Sequence, residues 1–359
     1  MSGKLKLHVL GAGSMGCLVS HEVVRSNPNS VELVMLFKNR SRYDDFIRHD
    51  SEYTVLSKFG ENYLKNTSRI SGGCPETILP SKDLRIDNMI LSTKTHQSEK
   101  ALSSYVKYLD KNSNLLILQN GMGIEASLRE RFWPDEANCP NIYQAISTHG
   151  AYKTDPYTIH HAGMGNLFIS KSPRTQIEKD SPDTVEKCSM VDTLLGSSRL
   201  SASFLTHKKF ALMQMEKLVA NSCINPLTAI FDCFNGDLLY GDKIVTLMIP
   251  VIREAVKVFK EEYADVYNSV EGRSFLDESR LLSSVLDICK LNASNSSSMR
   301  QDVRHLNNTE IDAINGFIVK LGDKHGISTP TNRMLTSMIK SKLSIERSLE
   351  SRATSELKF

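Results

Sequence analysis

Residues 6–24 read KLHVLGAGSMGCLVSHEVV: a short β-type run, then glycines at 11, 13 and 16, then apolar residues at helical spacing. Few folds accept that order. Gly11 allows a tight turn out of the strand. Gly13 lets the backbone approach a pyrophosphate, and Gly16 lets the following helix pack close to the strand. The unpaired N–H groups and the dipole at the helix start then attract phosphate. Three glycines at this spacing, between a strand and a helix, predict a dinucleotide-binding βαβ unit, with Gly11, Ala12, Gly13, Ser14, Met15 and Gly16 as its phosphate loop.

The end of the second strand bears on which dinucleotide binds. A unit selective for NAD carries an acid about 20 residues past the glycines, where it grips the ribose 2′-hydroxyl. Here VELVMLFKNRSR supplies Lys38, Arg40 and Arg42, with no acid before Asp44. Cations would bind a 2′-phosphate and a carboxylate would repel it, so NADPH is the expected cofactor.

The first half alternates β-type runs (KLHVL, VELVML, NMILST, NLLILQ, NIYQAIS) with polar or helical stretches, the pattern of a parallel sheet with crossover helices. Residues 157–170 read as two short strands that could extend the sheet edge. A polar excursion follows at 171–187. From His207 onward apolar residues recur at helical spacing. The expected fold is α/β: a Rossmann-type doubly wound NADP-binding domain over 1–206, then a mainly α-helical substrate and catalytic domain over 207–348. Residues 349–359 are expected to be a flexible tail. The Ser/Asn-rich stretch 290–302 is as consistent with a flexible loop as with an ordered one.

Ligands of open parallel sheets bind outside the carboxyl ends of the strands. Lys94 and Gln97 follow one predicted strand, and Asn120 with Gly121-Met122-Gly123 follows the next. Either group is compatible with cofactor or substrate contact, or with ordinary turn chemistry. In the helical half, Lys217, Asn221 and Asn225 fall at i, i+4 and i+8, which lines them along one helix face. Pro226 disfavours helical geometry at Asn225, so the helix is expected to end or kink there. An ammonium near a carbonyl oxygen can stabilise developing charge and deliver a proton; a solvated polar stripe is the alternative. Glu310 falls near the start of another predicted helix, where Thr309 and Asp312 resemble a capping box.

Composition excludes several classes. With 44 Lys+Arg against 41 Asp+Glu, the net charge of +3 gives no general pull toward nucleic acid or anionic membrane. The seven cysteines are odd in number and form no C-x-x-C pair, which fits a reducing compartment. No histidine spacing suggests a metal. No apolar run approaches a membrane span. The first strand begins so near the start that no targeting segment is expected, so a cytoplasmic location is inferred.

Six blocks in order (GAGSMG, TKTHQ, QNGMG, STHGAY, KLVANSCINPLTAIFDCFNGDL and NSSSMRQDVRHLNNTEIDAINGFIV) resemble the ketopantoate reductase family, over about Lys6 to Lys342. The resemblance implies NADPH-dependent reduction of 2-dehydropantoate to (R)-pantoate, toward pantothenate and coenzyme A, in a cleft between two domains. It also implies residue roles. Lys217 matches the proton donor and Glu310 the glutamate that closes over the site. Asn221, Asn225, Asn235 and Ser298 match substrate-binding positions, and Asn295 fits the same pattern. Asn120 matches a residue meeting both substrate and cofactor. Lys94 and the backbone of Gly150 match cofactor contacts. Lys38 stands where the family usually has arginine, so which cation grips the 2′-phosphate is left open. The expected partner is a small 2-keto acid, with no nucleic acid or membrane, and a homodimer is compatible. Alternatives are a related reductase of another 2-keto acid, or a non-catalytic NADPH-binding regulatory protein.

Overall fold

The computed structural model describes residues 4–59, 62–78, 85–174 and 187–356. It divides into two units: residues 1–119 with 125–210, and residues 120–124 with 211–359.

The first unit is built on β1 (Leu5–Leu10), whose Leu7 and Val9 are fully buried. The strand is followed by α1 (Ser14–Ser26), β2 (Val31–Leu36) and α2 (Arg40–Arg48). Beyond them come β3 (Glu52–Phe59), β4 (Asn62–Arg69), β5 (Ser71–Gly73) and β6 (Asn88–Leu91), then α3 (Thr95–Ser103), β7 (Asn114–Leu118) and α4 (Ile124–Phe132). The unit continues with β8 (Asn141–Ser147), β9 (Gly150–Asp155), β10 (Thr158–Gly163), β11 (Leu167–Lys171), α5 (Ser189–Leu195) and β12 (Ala202–Phe204). Among these, β1, β2, β6, β7 and β8 are the five expected strands.

They form an eight-stranded sheet in the order β12-β11-β8-β7-β6-β1-β2-β5. All pairs are parallel except β11 with β8. The chain leaves β1 toward β2 on one side and returns to β6 on the other. The sheet therefore has its topological switch beside the carboxyl end of β1, the usual place for a ligand crevice. Near-continuous apolar runs suit strands covered on both faces: Leu115, Leu116, Met89 and Ile90 are all fully buried.

Two details differ from the sequence reading. Of the two strands expected at the sheet edge, only β11 joins the main sheet; β10 pairs with β3 and β9 in a second sheet, ordered β4-β3-β10-β9. The hairpin β3–β4 alternates polar and apolar residues too weakly to declare itself. Most of the polar excursion at 171–187 lies outside the described residues.

The second unit is helical. Its helices are α6 (His207–Phe231, which enters the unit at Ala211), α7 (Ile244–Glu262), α8 (Ala264–Tyr267), α9 (Val270–Phe275), α10 (Glu278–Leu291), α11 (Ser298–Arg304), α12 (Asn315–His325) and α13 (Pro330–Glu356). Helix α6 does not end at Asn225; it runs through Pro226 for another turn. Proline removes one N–H and so leaves one carbonyl, that of Ser222, without its helical donor. The side chain of Asn315 takes that place, donating from Nδ2 to Ser222 O at 3.0 Å and to Asn332 Oδ1 at 3.0 Å. At the start of α13, the buried Glu254 carboxylate accepts from the N–H groups of Thr331 and Asn332, at 2.8 and 2.9 Å. It acts as a cap supplied from another helix. Helix α13 continues to Glu356, past the point where the sequence suggests a loose tail.

Candidate functional site

In the first unit the glycine loop sits at the carboxyl end of β1. Gly11 has φ +123°, a conformation few other residues adopt. A Cβ there would fall 2.6 Å from Thr93 N, at the turn after β6. A Cβ at Gly16 would lie 2.1 Å from Gly11 O and 2.3 Å from Ser92 Oγ. The loop, the first turn of α1 and the end of β6 are thus packed backbone to backbone, and Ser92 Oγ donates to Gly11 O at 2.8 Å. Gly13 differs: the nearest atom to its Cβ would be Ser92 O at 3.8 Å. Helix α1 has no side-chain cap and no acid in its first turn, which spans Ser14, Met15 and Gly16. An uncrowded glycine before an uncapped helix start fits a pyrophosphate.

The basic stretch after β2 resolves into distinct roles. Arg40 is taken by Asp44, Nε to Oδ1 at 2.7 Å, so the first acid past the strand is already neutralised. Lys38 and Arg42 are exposed. Lys94 occupies the N-cap position of α3, and Gly150 opens β9 opposite Gly163. His149, just before it, is structural: its Nε2 bonds to Leu200 O at 3.0 Å, and Nδ1 accepts from Gly165 N–H at 3.1 Å. Lys153, a residue the sequence reading passed over, places its ammonium 2.8 Å from Ala12 O, inside the glycine loop.

In the second unit Lys217, Asn221 and Asn225 do lie along α6. Lys217 is partly exposed, yet burial lowers its pKa to about 8, opposed by the charge of Glu310, which raises it. Glu310 is itself buried, and Asn120 Nδ2 donates to its Oε2 at 3.4 Å. The expected capping box is not formed. Glu310 precedes a 3-10 turn (Ile311–Ala313) without a side-chain cap, α12 begins only at Asn315, and Asp312 pairs instead with Lys340 at 2.7 Å. Met122 N–H donates to Ala313 O at 3.1 Å, which fastens the 120–124 segment to that turn.

The Ser/Asn-rich stretch is ordered. Asn235 N–H donates to Asn295 O and Gly236 N–H to Ala293 O, both at 3.0 Å. Asn235 is buried, and its Oδ1 meets no donor among the described residues. Ser297 caps α11 and accepts from Thr228 Oγ1 at 2.7 Å, which leaves the next residue, Ser298, exposed. Within this unit the structure therefore gathers an ammonium, a carboxylate and several amides. Among the described residues no cluster of three His, Cys, Asp or Glu is arranged to hold a metal, and no helix is long and apolar enough to cross a membrane.

Known proteins resemble the chain over most of its length. Residues 7–174 match the family described as ketopantoate reductase PanE/ApbA, and residues 209–343 match its C-terminal domain. The chain is 37% identical to the "probable 2-dehydropantoate 2-reductase" of Schizosaccharomyces pombe over 95% of its own length and 97% of that protein's. It is 30% identical to the 2-dehydropantoate 2-reductase of Saccharomyces cerevisiae, over 95% of both chains. Among solved structures, a D-mandelate dehydrogenase in ternary complex with NADH and anilino(oxo)acetate superposes with a TM-score of 0.76 at 22% identity, covering 96% of this chain and 99% of that one. That likeness is one of fold. The two family matches together span most of the sequence, and the chain belongs to the ketopantoate reductase family.

Proposed function

We propose that this protein reduces 2-dehydropantoate to (R)-pantoate with NADPH, and that Lys217 is the proton donor. The observation that carries the reading is the state of Lys217: an ammonium with a pKa of about 8, coupled to a buried glutamate, in a row with two asparagines. A proton donor works best when its pKa lies near the operating pH. At pH 7 this lysine is protonated, and it gives up its proton far more readily than an ordinary lysine.

NADPH, when bound, supplies the hydride that reduces the keto carbon. The chain's own residues do the rest. The first-turn N–H groups of α1 and the backbone of Gly13 hold the pyrophosphate. Lys38 and Arg42 are the cations for the 2′-phosphate, because Arg40 is already engaged by Asp44. Lys94 and the backbone of Gly150 contribute further cofactor contacts. Lys217 stabilises the negative charge that develops on the keto oxygen and then protonates it. Asn221, Asn225, Asn235, Asn295 and Ser298 orient the substrate's carboxylate and hydroxyl, and the unsatisfied Oδ1 of Asn235 accepts from a hydroxyl. Glu310 holds the amide of Asn120 and supports the charged form of Lys217.

The test is NADPH consumption by the purified protein with 2-dehydropantoate, with NADH and a panel of other 2-keto acids in parallel. Turnover favouring 2-dehydropantoate and NADPH is expected. A higher kcat/KM for a different 2-keto acid would overturn the substrate assignment. Nucleotide binding with no turnover of any keto acid would point to a regulatory protein.

A further inference from the structure

Lys153 lies on β9, three residues past Gly150. Its ammonium donates to Ala12 O at 2.8 Å and to Pro156 O at 2.6 Å, and it stands 5.4 Å from the centre of the Tyr53 ring. It thereby ties the four-stranded sheet to the loop between β1 and α1. Its positive charge also reaches Cys17, where burial pushes the thiol pKa up and Lys153 pulls the other way. Nearby Asp155 is occupied: its Oδ1 accepts from the N–H groups of Tyr157 and Thr158, at 2.8 Å each.

The carbonyl that Lys153 holds is informative. Ala12 C=O and Gly13 N–H belong to one peptide unit, which is planar and trans. In such a unit the two groups point in opposite directions. Anchoring the oxygen on Lys153 fixes the aim of the Gly13 N–H, away from the ammonium. Gly13 is also the loop glycine whose added Cβ would make only an ordinary contact, 3.8 Å from Ser92 O. A second effect is electrostatic. Lys153 adds a cation near the positive end of α1, whose first turn has no acid to offset it. That arrangement is costly without an anion and favourable with one.

We propose that Lys153 is a positioning residue of the dinucleotide site: it orients the Ala12–Gly13 peptide toward the pyrophosphate and adds to the positive potential there. This inference rests on the dinucleotide-binding part of the proposed function, and not on the identity of the keto acid.

The test compares wild-type protein with Lys153→Met and Lys153→Arg. Dissociation constants for NADPH and NADH are measured by cofactor fluorescence, alongside steady-state kinetics and thermal unfolding. Pyrophosphate is common to both nucleotides. Lys153→Met is therefore expected to weaken both by a similar factor, roughly 10- to 100-fold, the range for losing a charge-assisted contact. KM for NADPH should rise by that factor, while kcat and the KM for the keto acid hold. Lys153→Arg should recover most of the loss. Unchanged dissociation constants would overturn the proposal. So would a loss confined to NADPH, which would make Lys153 a 2′-phosphate ligand. A parallel fall in kcat and melting temperature without rescue by arginine would show a merely structural role. If wild-type protein binds the nucleotides but does not reduce 2-dehydropantoate, the substrate reading fails and the binding comparison still decides the role of Lys153. If it binds neither nucleotide, both fail.

Discussion

Asn315 donates to the Ser222 carbonyl that Pro226 leaves without a helical donor, at 3.0 Å, in the interior of the second unit. This one bond joins the helix that carries Lys217 to the segment just after Glu310. Asn315→Leu would strand both Ser222 O and Asn332 Oδ1. Each buried unsatisfied group costs about 1–3 kcal/mol, so denaturant unfolding should show a loss of a few kcal/mol. Combining it with Pro226→Ala restores an N–H for Ser222. Part of the lost stability should return in the double variant, and strict additivity of the two changes would disprove the compensation.

As the proposed proton donor, Lys217 acts only in its protonated form. With a pKa of about 8, kcat should be level below pH 8 and fall about tenfold per unit above it. Glu310 raises that pKa, so Glu310→Gln should move the alkaline limb to lower pH. A limb that stays in place, or moves upward, would separate Glu310 from the charge state of Lys217. Lys217→Ala should lower kcat by roughly 10²–10⁴-fold.

Three buried histidines give the first unit an acid weakness. Burial, with help from neighbouring positive charges, lowers the pKa of His8, His21 and His161 to about 4, from 6.5. Between those values the unfolded chain takes up protons that the folded one refuses. Stability is therefore full above about pH 6.5 and declines as the pH falls toward 4, by on the order of 1–3 kcal/mol per histidine. Neither ring nitrogen of His21 has a hydrogen-bond partner among the described residues. His21→Leu should thus be tolerated at pH 7 and should flatten the decline of melting temperature between pH 6.5 and 4.5. An unchanged slope would remove His21 from the effect.

Gly121 has φ +81°, and a Cβ there would stand 2.3 Å from Ala313 O. Gly121→Ala should pull the 120–124 segment off the turn after Glu310 and carry the Asn120 amide with it. Strain at such a position costs on the order of 1–3 kcal/mol. The expected result is a kcat at least tenfold lower. Wild-type kcat would show that the contact between Asn120 and Glu310 is not needed.

Much of this was legible in the sequence because its physical cause is local. Glycine spacing after β1, continuous apolar runs in β6 and β7, and the i, i+4, i+8 row on α6 all reflect neighbours in the chain. What escaped depends on distant partners. Pro226 looked like a helix end because its rescuer, Asn315, is 93 positions from the carbonyl it serves. Thr309 and Asp312 looked like a cap, but Lys340 draws Asp312 away. Lys153 gave no signal beyond being a lysine shortly after a predicted cofactor contact, since its target lies 141 residues earlier.

The hydrogen bonds from Asn235 and Gly236 to Asn295 and Ala293 join two stretches of chain by main-chain atoms alone. Side-chain replacements at Asn235, Asn295 or Ser298 leave those four groups in place. A bulkier residue at Gly236, whose Cβ would stand 2.5 Å from that of Ala293, threatens them directly. The frame around these residues is thus separable from their side chains. If those side chains orient the substrate as proposed, a lineage could retune which oxo acid it accepts by exchanging them while inheriting the frame unaltered, and libraries that keep Gly236 fixed are the natural route to repeating that experiment in the laboratory.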